Sequence, residues 1–481
     1  MVAVSVSITG VGLASAQGGA ADVTGEAPLT APVAWPRGAR DAGPERLHRP
    51  ARAIDRALTG GARFAALAHA ALDECVAGAT PPPSTPLFVA TCNGAADAWD
   101  PESWRASFDL ARALEGTPWA DRTPPVASAA CASGLHALFL AQRALAAGAP
   151  EAVVLAVDIV SRPSHESFET LRLLGEADEP PPWQPRRTGF TLGEAAVALR
   201  LVRGRTGAAL DGPVLGHDLV DDDGLARVLA ALAAPAPSLV LAQGTGPAAA
   251  DRAELNAIRT RVAVDVPVTS ALQHFGHTLG ASGLLSAALA ALASRGSIPR
   301  ALAMPVGRAS DGRPLVTGAV APRNAVVVCR ALGGACAALA IGGEPTSPER
   351  PRPLAWHRPA PPPPLRDPML RKLADAAARH RPASPPGLLL VRLESPPAPP
   401  SDATIGDRLL PSSILEMTPG FVAQLVTRSW GFPGPSICLV APSESEADVR
   451  AIVAACREAG DVVCRVDVRG RGGERDVDWD A

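Results

Sequence analysis

From Val4 to about residue 345 the chain alternates short β-branched runs with alanine-rich stretches, which confines it to an α/β fold with buried sheets. Leu87-Phe-Val-Ala90, Ala152-Val-Val-Leu-Ala-Val157 and Ser238-Leu-Val-Leu241 are continuous apolar runs of strand length. Ala325-Val-Val-Val-Cys329 and Cys336-Ala-Ala-Leu-Ala-Ile341 close this region, and the Gly333-Gly334 pair between them implies a tight, close-approach turn. At the other end, Val4 to Gly12 alternates as a first strand running into a glycine turn. No basic segment precedes it, so it reads as structure rather than as a targeting signal.

A chain of 481 residues exceeds one ordinary core, so two or three units are expected. Composition marks the boundary. Residues 346–366 are dense in proline, including Pro361 to Pro364, and read as a semi-rigid linker between a first unit, 1–345, and a second, 367–468. The charged, glycine-rich residues 469–481 read as a flexible tail. With 45 basic and 48 acidic side chains the net charge is −3, which removes the electrostatic case for nucleic acid or an anionic membrane as main partner. No apolar run approaches the roughly 20 residues that span a bilayer. The eight cysteines are scattered without C-x-x-C pairs, a pattern of a reducing, cytoplasmic setting without disulfides or zinc. His274 and His277 lack a third ligand at suitable spacing, so neither a metal nor a cofactor is expected.

One cysteine stands apart. Ala127-Ser-Ala-Ala-Cys131-Ala-Ser-Gly-Leu-His-Ala-Leu138 sets a thiol among small residues just before a helix-forming run of about 132–147. Small neighbours permit a sharp turn and close approach of a substrate, and a helix N-terminus favours thiolate over thiol. Cys131 is therefore the candidate nucleophile, against the plain alternative of a small buried hydrophobe.

Five collinear motifs resemble the β-ketoacyl synthase branch of the thiolase-fold condensing enzymes. Ser7-Ile-Thr-Gly-Val-Gly12 is similar to the opening strand, and the Cys131 segment to T-A-C-x-S. Arg187-Thr-Gly-Phe-Thr-Leu-Gly-Glu194-Ala resembles R-x-G-F-x-x-G-E-G-A, Gly276-His277-Thr-Leu-Gly-Ala-Ser-Gly283 resembles G-H-x-x-G-A-A-G, and Ala331-Leu-Gly-Gly-Ala335 takes the place of G-F-G-G-T-N. The resemblance implies a duplicated α-β-α-β-α layered fold over 1–345. It also implies transfer of an acyl group from acyl carrier protein onto Cys131, condensation with a decarboxylating malonyl thioester, and a dimer with itself or with another synthase subunit. It assigns the oxyanion amides to Cys131 and Leu332, activation to His277, and the acyl pocket to Leu332, Gly333, Phe190 and Phe275.

The chain departs from the family where malonyl chemistry is performed. H-G-T-G-T reads Gln243-Gly-Thr-Gly-Pro247 here, and Leu272 stands where the family lysine belongs. Gln243 can donate a hydrogen bond but cannot carry a proton. Losing one such donor costs about 10²–10³ in rate, so acyl loading should survive better than condensation. Two readings stay open: an acyltransferase with or without elongation in fatty-acid or polyketide-type biosynthesis, or a non-catalytic scaffold of the chain-length-factor kind. Residues 367–468 faintly resemble the N-terminal half of a divergent synthase. Their equivalent of the nucleophile turn, Val440-Ala-Pro-Ser443-Glu, has no cysteine, so this unit is expected to be non-catalytic.

Overall fold

The computed structural model describes residues 4–480 apart from 26–27, 35–45, 53, 93–109, 177–178, 220–222, 233–235, 297–298, 319–320, 343–354, 356, 360–362, 364, 396, 398–403, 406–407, 410–415, 417 and 472–473. The strands of its main sheet are β1 (Val6–Ser15), β2 (Leu87–Ala90), β3 (Val126–Ala127), β4 (Glu151–Asp158), β5 (Ala195–Arg203), β6 (Ala208–His217) and β7 (Leu239–Leu241). They continue with β8 (Val268–Thr269), β9 (Asn324–Arg330), β10 (Ala335–Gly342), β11 (Leu388–Leu393), β12 (Ser436–Val440), β13 (Val463–Arg471) and β14 (Glu474–Asp480). Seven helices matter to the site: α1 (Gly60–Val76), α2 (Ser133–Ala146), α3 (Ala248–Arg259), α4 (Ser282–Ser294), α5 (Pro368–Arg379), α6 (Pro419–Trp430) and α7 (Glu446–Glu458).

All fourteen strands join one sheet in the order β8-β7-β9-β10-β6-β1-β5-β4-β2-β3-β12-β11-β13-β14. β1 sits inside it, paired antiparallel to β5 along its length and to β6 at Val6 to Ile8. The run that starts at Val4 is thus a central strand. α2 and α4 pack on the sheet in one continuous core with Leu135, Leu138, Leu284 and Leu289 fully buried, while α1 buries Leu67 and Leu72 in a second core. Both helices bury most of their residues, as helices enclosed between layers do. This is the layered α/β architecture that the alternation predicts.

The second unit is not an appendage on a tether. β12 pairs antiparallel with β3, Leu439 opposite Ala127 and Val440 opposite Val126, so the sheet runs unbroken from one unit into the other. Leu388, Leu390, Ile437, Leu439 and Val449 belong to the same apolar core as Cys131 and Leu135. Polar contacts line the seam: the Ser128 amide donates to the Cys438 carbonyl at 2.9 Å, Ser445 Oγ donates to the Thr123 carbonyl at 2.6 Å, and Arg143 pairs with Asp461 at 2.6 Å. The 469–481 stretch also departs from expectation. Glu474 to Asp480 forms β14 on the edge of β13, and Trp479 stacks on His380 at 5.0 Å between centroids, so an aromatic anchor and a strand ladder outweigh the polar composition. The expected linker, 346–366, lies largely outside the described residues.

The second unit repeats the topology of the first around the seam. β2 lies parallel to β3 and β4, with α2 between β3 and β4; β11 lies parallel to β12 and β13, with α7 between β12 and β13. The strand and helix order of β11, β12, α7 and β13 thus repeats that of β2, β3, α2 and β4.

Two buried histidines near this seam make it sensitive to acid. His136 in α2 is 1 % exposed, with neither ring nitrogen hydrogen-bonded among the described residues, and His217 at the end of β6 contacts Ser436 Oγ of β12. Burial pushes His136 down to about 3 and His217 to about 4, helped by His217 in the first case and by Arg227 in the second. In an unfolded chain both titrate near 6.5, so the unfolded state binds the extra protons first as pH falls. Stability is expected to be full above about pH 6.5 and to decline from there toward pH 4. Urea midpoints measured across that range test it, and in His136→Leu the slope should be shallower.

Candidate functional site

Cys131 sits on a turn that the local sequence forces tight. Ala130 adopts φ 48°, a left-handed conformation, and Ser133 locks the bend by accepting from the Ala129 amide at 2.8 Å and donating to the Ala130 carbonyl at 2.6 Å. α2 begins at Ser133, close to the expected start. The thiol is 4 % exposed. Burial pushes it up to about 12, against the expectation of an activated thiolate. The backbone amides of Leu332 and of Cys131 itself pull the other way, and the carboxylate of Asp158 adds to the upward push. Removal from water thus outweighs the helix N-terminus, and the resting group is a protonated thiol.

The Leu332 amide comes from the turn between β9 and β10. Gly333 and Gly334 both have positive φ, 97° and 99°, and the Ala331 amide donates to the Ala335 carbonyl at 2.7 Å to close the loop. This is the tight turn that the glycine pair predicts. Cys329, two residues before that loop, donates its S–H to the Cys131 carbonyl at 3.3 Å, which fastens β9 to the nucleophile turn.

His277 is held by the Arg187–Glu194 motif. Its amide donates to the Thr191 carbonyl at 2.7 Å, and its carbonyl accepts from Gly193 at 3.0 Å. No β-carbon fits at Gly193, because the Phe275 carbonyl occupies that space. The ring lies 4.7 Å from Phe190. Its Nδ1 accepts from the Leu279 amide at 2.9 Å, which in the neutral ring places hydrogen on Nε2. Burial pushes the imidazole down to about 4, so it is neutral at physiological pH and serves as a hydrogen-bond donor rather than a cation.

Gln243 faces the same recess. Its Oε1 accepts from the Arg330 amide at 2.7 Å, while its Nε2 is buried with no partner among the described residues. The recess has a cavity volume of about 20 Å³ and is lined by Gln243, Thr245, Ser270, Leu272, His277 and Ser286, among others. An unsatisfied buried N–H₂ beside a neutral imidazole is a site prepared to accept hydrogen-bond acceptors such as a carbonyl oxygen. The loop carrying Gln243 is fixed by Glu254 of α3, which accepts from the Gln243 amide at 2.9 Å and the Gly244 amide at 2.8 Å, and by Asp251, which accepts from Gly246 at 2.6 Å.

The structure therefore brings Gln243 and His277 to one recess, and Phe190 to His277. It places the Leu332 amide at Cys131. Leu332 itself is 38 % exposed, with Gly333 beside it in the turn. Phe275 is fully buried in the main core, with its carbonyl against Gly193. Leu272, in the position of the family lysine, lines the recess with an uncharged side chain. Asp158 is a component that sequence reasoning missed. It is fully buried at the end of β4 and accepts from Thr91 Oγ1 at 2.6 Å, the Cys92 amide at 2.9 Å and the Gly280 amide at 2.8 Å, so it joins the His277 loop to the end of β2. An acidic residue ending the wholly apolar run Ala152–Val157 is the signal that would have marked it. Among the described residues no group of His, Cys, Asp and Glu is arranged to hold a metal, and no helix is long and apolar enough to cross a membrane.

A model of the β-ketoacyl synthase N-terminal domain matches residues 125–206, and one of the C-terminal domain matches 227–304. The structure is similar to a PfaC keto synthase-chain length factor, with 14% identity over 97% of this chain and 74% of that one, at a TM-score of 0.73. It is also similar to a ketosynthase (ApeO) in complex with its chain length factor (ApeC) from Xenorhabdus doucetiae, with 22% identity over 70% of this chain and 98% of that one, TM-score 0.56. A beta-ketoacyl synthase from Burkholderia phymatum STM815 shares 20% identity over 71% of this chain and 99% of its own, TM-score 0.54. No curated protein matches. The two domain models fall on the segments that carry Cys131, Glu194, Gln243 and His277, and the layers around them have the fold of the ketosynthases, so the chain is similar to a divergent β-ketoacyl synthase over those segments.

Proposed function

We propose that the chain is an acyltransferase of the condensing-enzyme type in fatty-acid or polyketide-type biosynthesis, with Cys131 as acyl acceptor. The observation that carries this reading is the pair of backbone amides, from Cys131 and Leu332, acting on a buried thiol at the head of α2 in a segment similar to the β-ketoacyl synthases. In the transfer step the Cys131 sulfur attacks the carbonyl of an acyl thioester on acyl carrier protein, and the two amides hold the oxyanion. The carrier sulfur departs and takes the proton that Cys131 gives up. His277 Nε2 and Gln243 Nε2 then donate to the thioester carbonyl of a malonyl group, stabilising the enolate left by loss of carbon dioxide. Gln243 supplies a neutral dipole there, so condensation is slower than loading.

The scaffold reading is supported for the second unit alone. Residues 367–468, whose Val440-Ala-Pro-Ser443-Glu stretch carries no cysteine, form a non-catalytic module, and the chain length factors named among the structural relatives support a partner-like role for it. The first unit, 1–345, is then the synthase half, and the seam at β3 and β12 serves as a dimer contact within one chain.

The test is incubation of the purified chain with acyl and malonyl carrier thioesters, following Cys131 acylation and carbon dioxide release by mass spectrometry. Acylation at Cys131 supports the reading; a folded sample that neither acylates nor decarboxylates overturns it in favour of a scaffold. Gln243→His is expected to raise carbon dioxide release by about 10²–10³ while leaving acylation within a few-fold, since it restores one electrostatic donor at the malonyl position. An unchanged release rate would remove Gln243 from the malonyl step.

A further inference from the structure

Helix α6 of the second unit lies against both parts of the thiol's amide pocket. At its first turn Gly420 has no room for a side chain, because a β-carbon would lie 2.8 Å from the Ala129 Cα and 2.8 Å from the Ser128 carbonyl oxygen, on the nucleophile turn itself. One turn later Gln424, 2 % exposed, lays its carboxamide where a β-carbon of Gly333 would stand. Gly333 follows Leu332, whose amide acts on the Cys131 sulfur. A glycine at φ 97° has no side chain of its own to brace that turn, so the turn depends on what presses on it from outside. The Gly420 and Gln424 contacts fall on one face of α6, four residues apart, as one helical turn requires.

We propose that Gln424 is a positioning residue for Cys131: its carboxamide, packed on Gly333, keeps the Leu332 amide directed at the thiol, so the second unit completes the acceptor site. Gln424 touches neither substrate nor sulfur in this role; it acts through the turn. The inference rests on the reading of Cys131 as acceptor, but its test does not require acyl transfer. A chain that fails to acylate can still report on the amide pocket through alkylation of its thiol.

The experiment is the pH dependence of iodoacetamide alkylation of the full chain, resolved by peptide mass spectrometry so that Cys131 is read apart from the other seven cysteines. In Gln424→Ala the Cys131 profile is expected to move to higher pH, with alkylation about tenfold slower at a fixed pH near 8, because one amide that favours the thiolate is lost. The other seven thiols should keep their rates. Gln424→Met, similar in length and able to pack on Gly333, should retain the wild-type profile. An unchanged Cys131 rate in Gln424→Ala overturns the proposal, as does a faster one, the signature of mere loosening at the seam. A Met variant as slow as the Ala variant overturns it too. Should Gln424→Ala not fold, Gln424→Ser shortens the same side chain away from Gly333, with the same slowing expected and a normal rate counting against the idea.

Discussion

Cys131→Ala is expected to abolish covalent acylation by carrier thioesters, a loss on the order of 10⁶-fold if removal of this nucleophile compares with the loss of one from a characterised hydrolase site. The fold should be intact, since alanine fits among Ala129, Ala130 and Ala132 and forfeits only a small sulfur. Intact-protein mass spectrometry reads the adduct directly. In the wild-type chain the burial that pushes this thiol up to about 12 also fixes the pH dependence. Acylation and alkylation should rise about tenfold per pH unit through the range in which the chain stays folded, because the thiolate fraction does. A label that persists in Cys131→Ala would locate the acceptor elsewhere, with Cys92, beside it, the first place to look.

Glu194→Ala is expected to cost about 3–5 kcal/mol of stability, the range for breaking a buried ion pair from one side. Glu194 is 2 % exposed, and its carboxylate accepts from Arg63 Nε at 2.9 Å and from the Ala51 amide at 2.6 Å, with Arg63 Nη2 also against it. Alanine would strand the Arg63 guanidinium, itself 7 % exposed, together with the Ala51 donor. Urea unfolding should show a midpoint lower by about 1 M or more. Glu194 follows Gly193, whose amide holds the His277 carbonyl, so the loss should reach the site as well. Glu194→Gln keeps the shape and part of the hydrogen bonding and should fall between the two. An alanine variant as stable as wild type would show that Arg63 finds water or another acceptor.

Much of this molecule was legible before any coordinates. The strand at Leu87–Ala90 occurs as read, and those near Ala152–Val157 and Ala325–Cys329 extend by one residue at each end. The glycine turn at Gly333 also stands where local chemistry puts it, and α5 opens on Pro368 in its first turn. These features are decided within a few residues, by β-branching, proline at a helix start and the absence of a β-carbon. The chemistry of Cys131 was only half legible. A helix N-terminus can be read from sequence, but the desolvation that opposes it comes from core residues far along the chain, and its sum is visible only in three dimensions. Asp158 and Gln424 were missed for the same reason, since each acts on segments more than 60 residues away.

The sequence by itself determined the α/β alternation, the family motifs and the departures at Gln243 and Leu272, because each is a matter of residue identity at a local spacing. Only the tertiary structure decided that the second unit continues the sheet of the first, that 474–480 is a strand, and that α6 braces the thiol pocket. Those outcomes depend on which unpaired strand edge meets which, and β3 offers its backbone donors and acceptors to any strand that can reach it. Nothing in the local sequence of β12 says that its partner lies three hundred residues earlier. The free energy that joins them is the burial of Leu439, Ile437 and Leu390 in a core that residues near Cys131 also build, and that core exists only once both units are folded against each other.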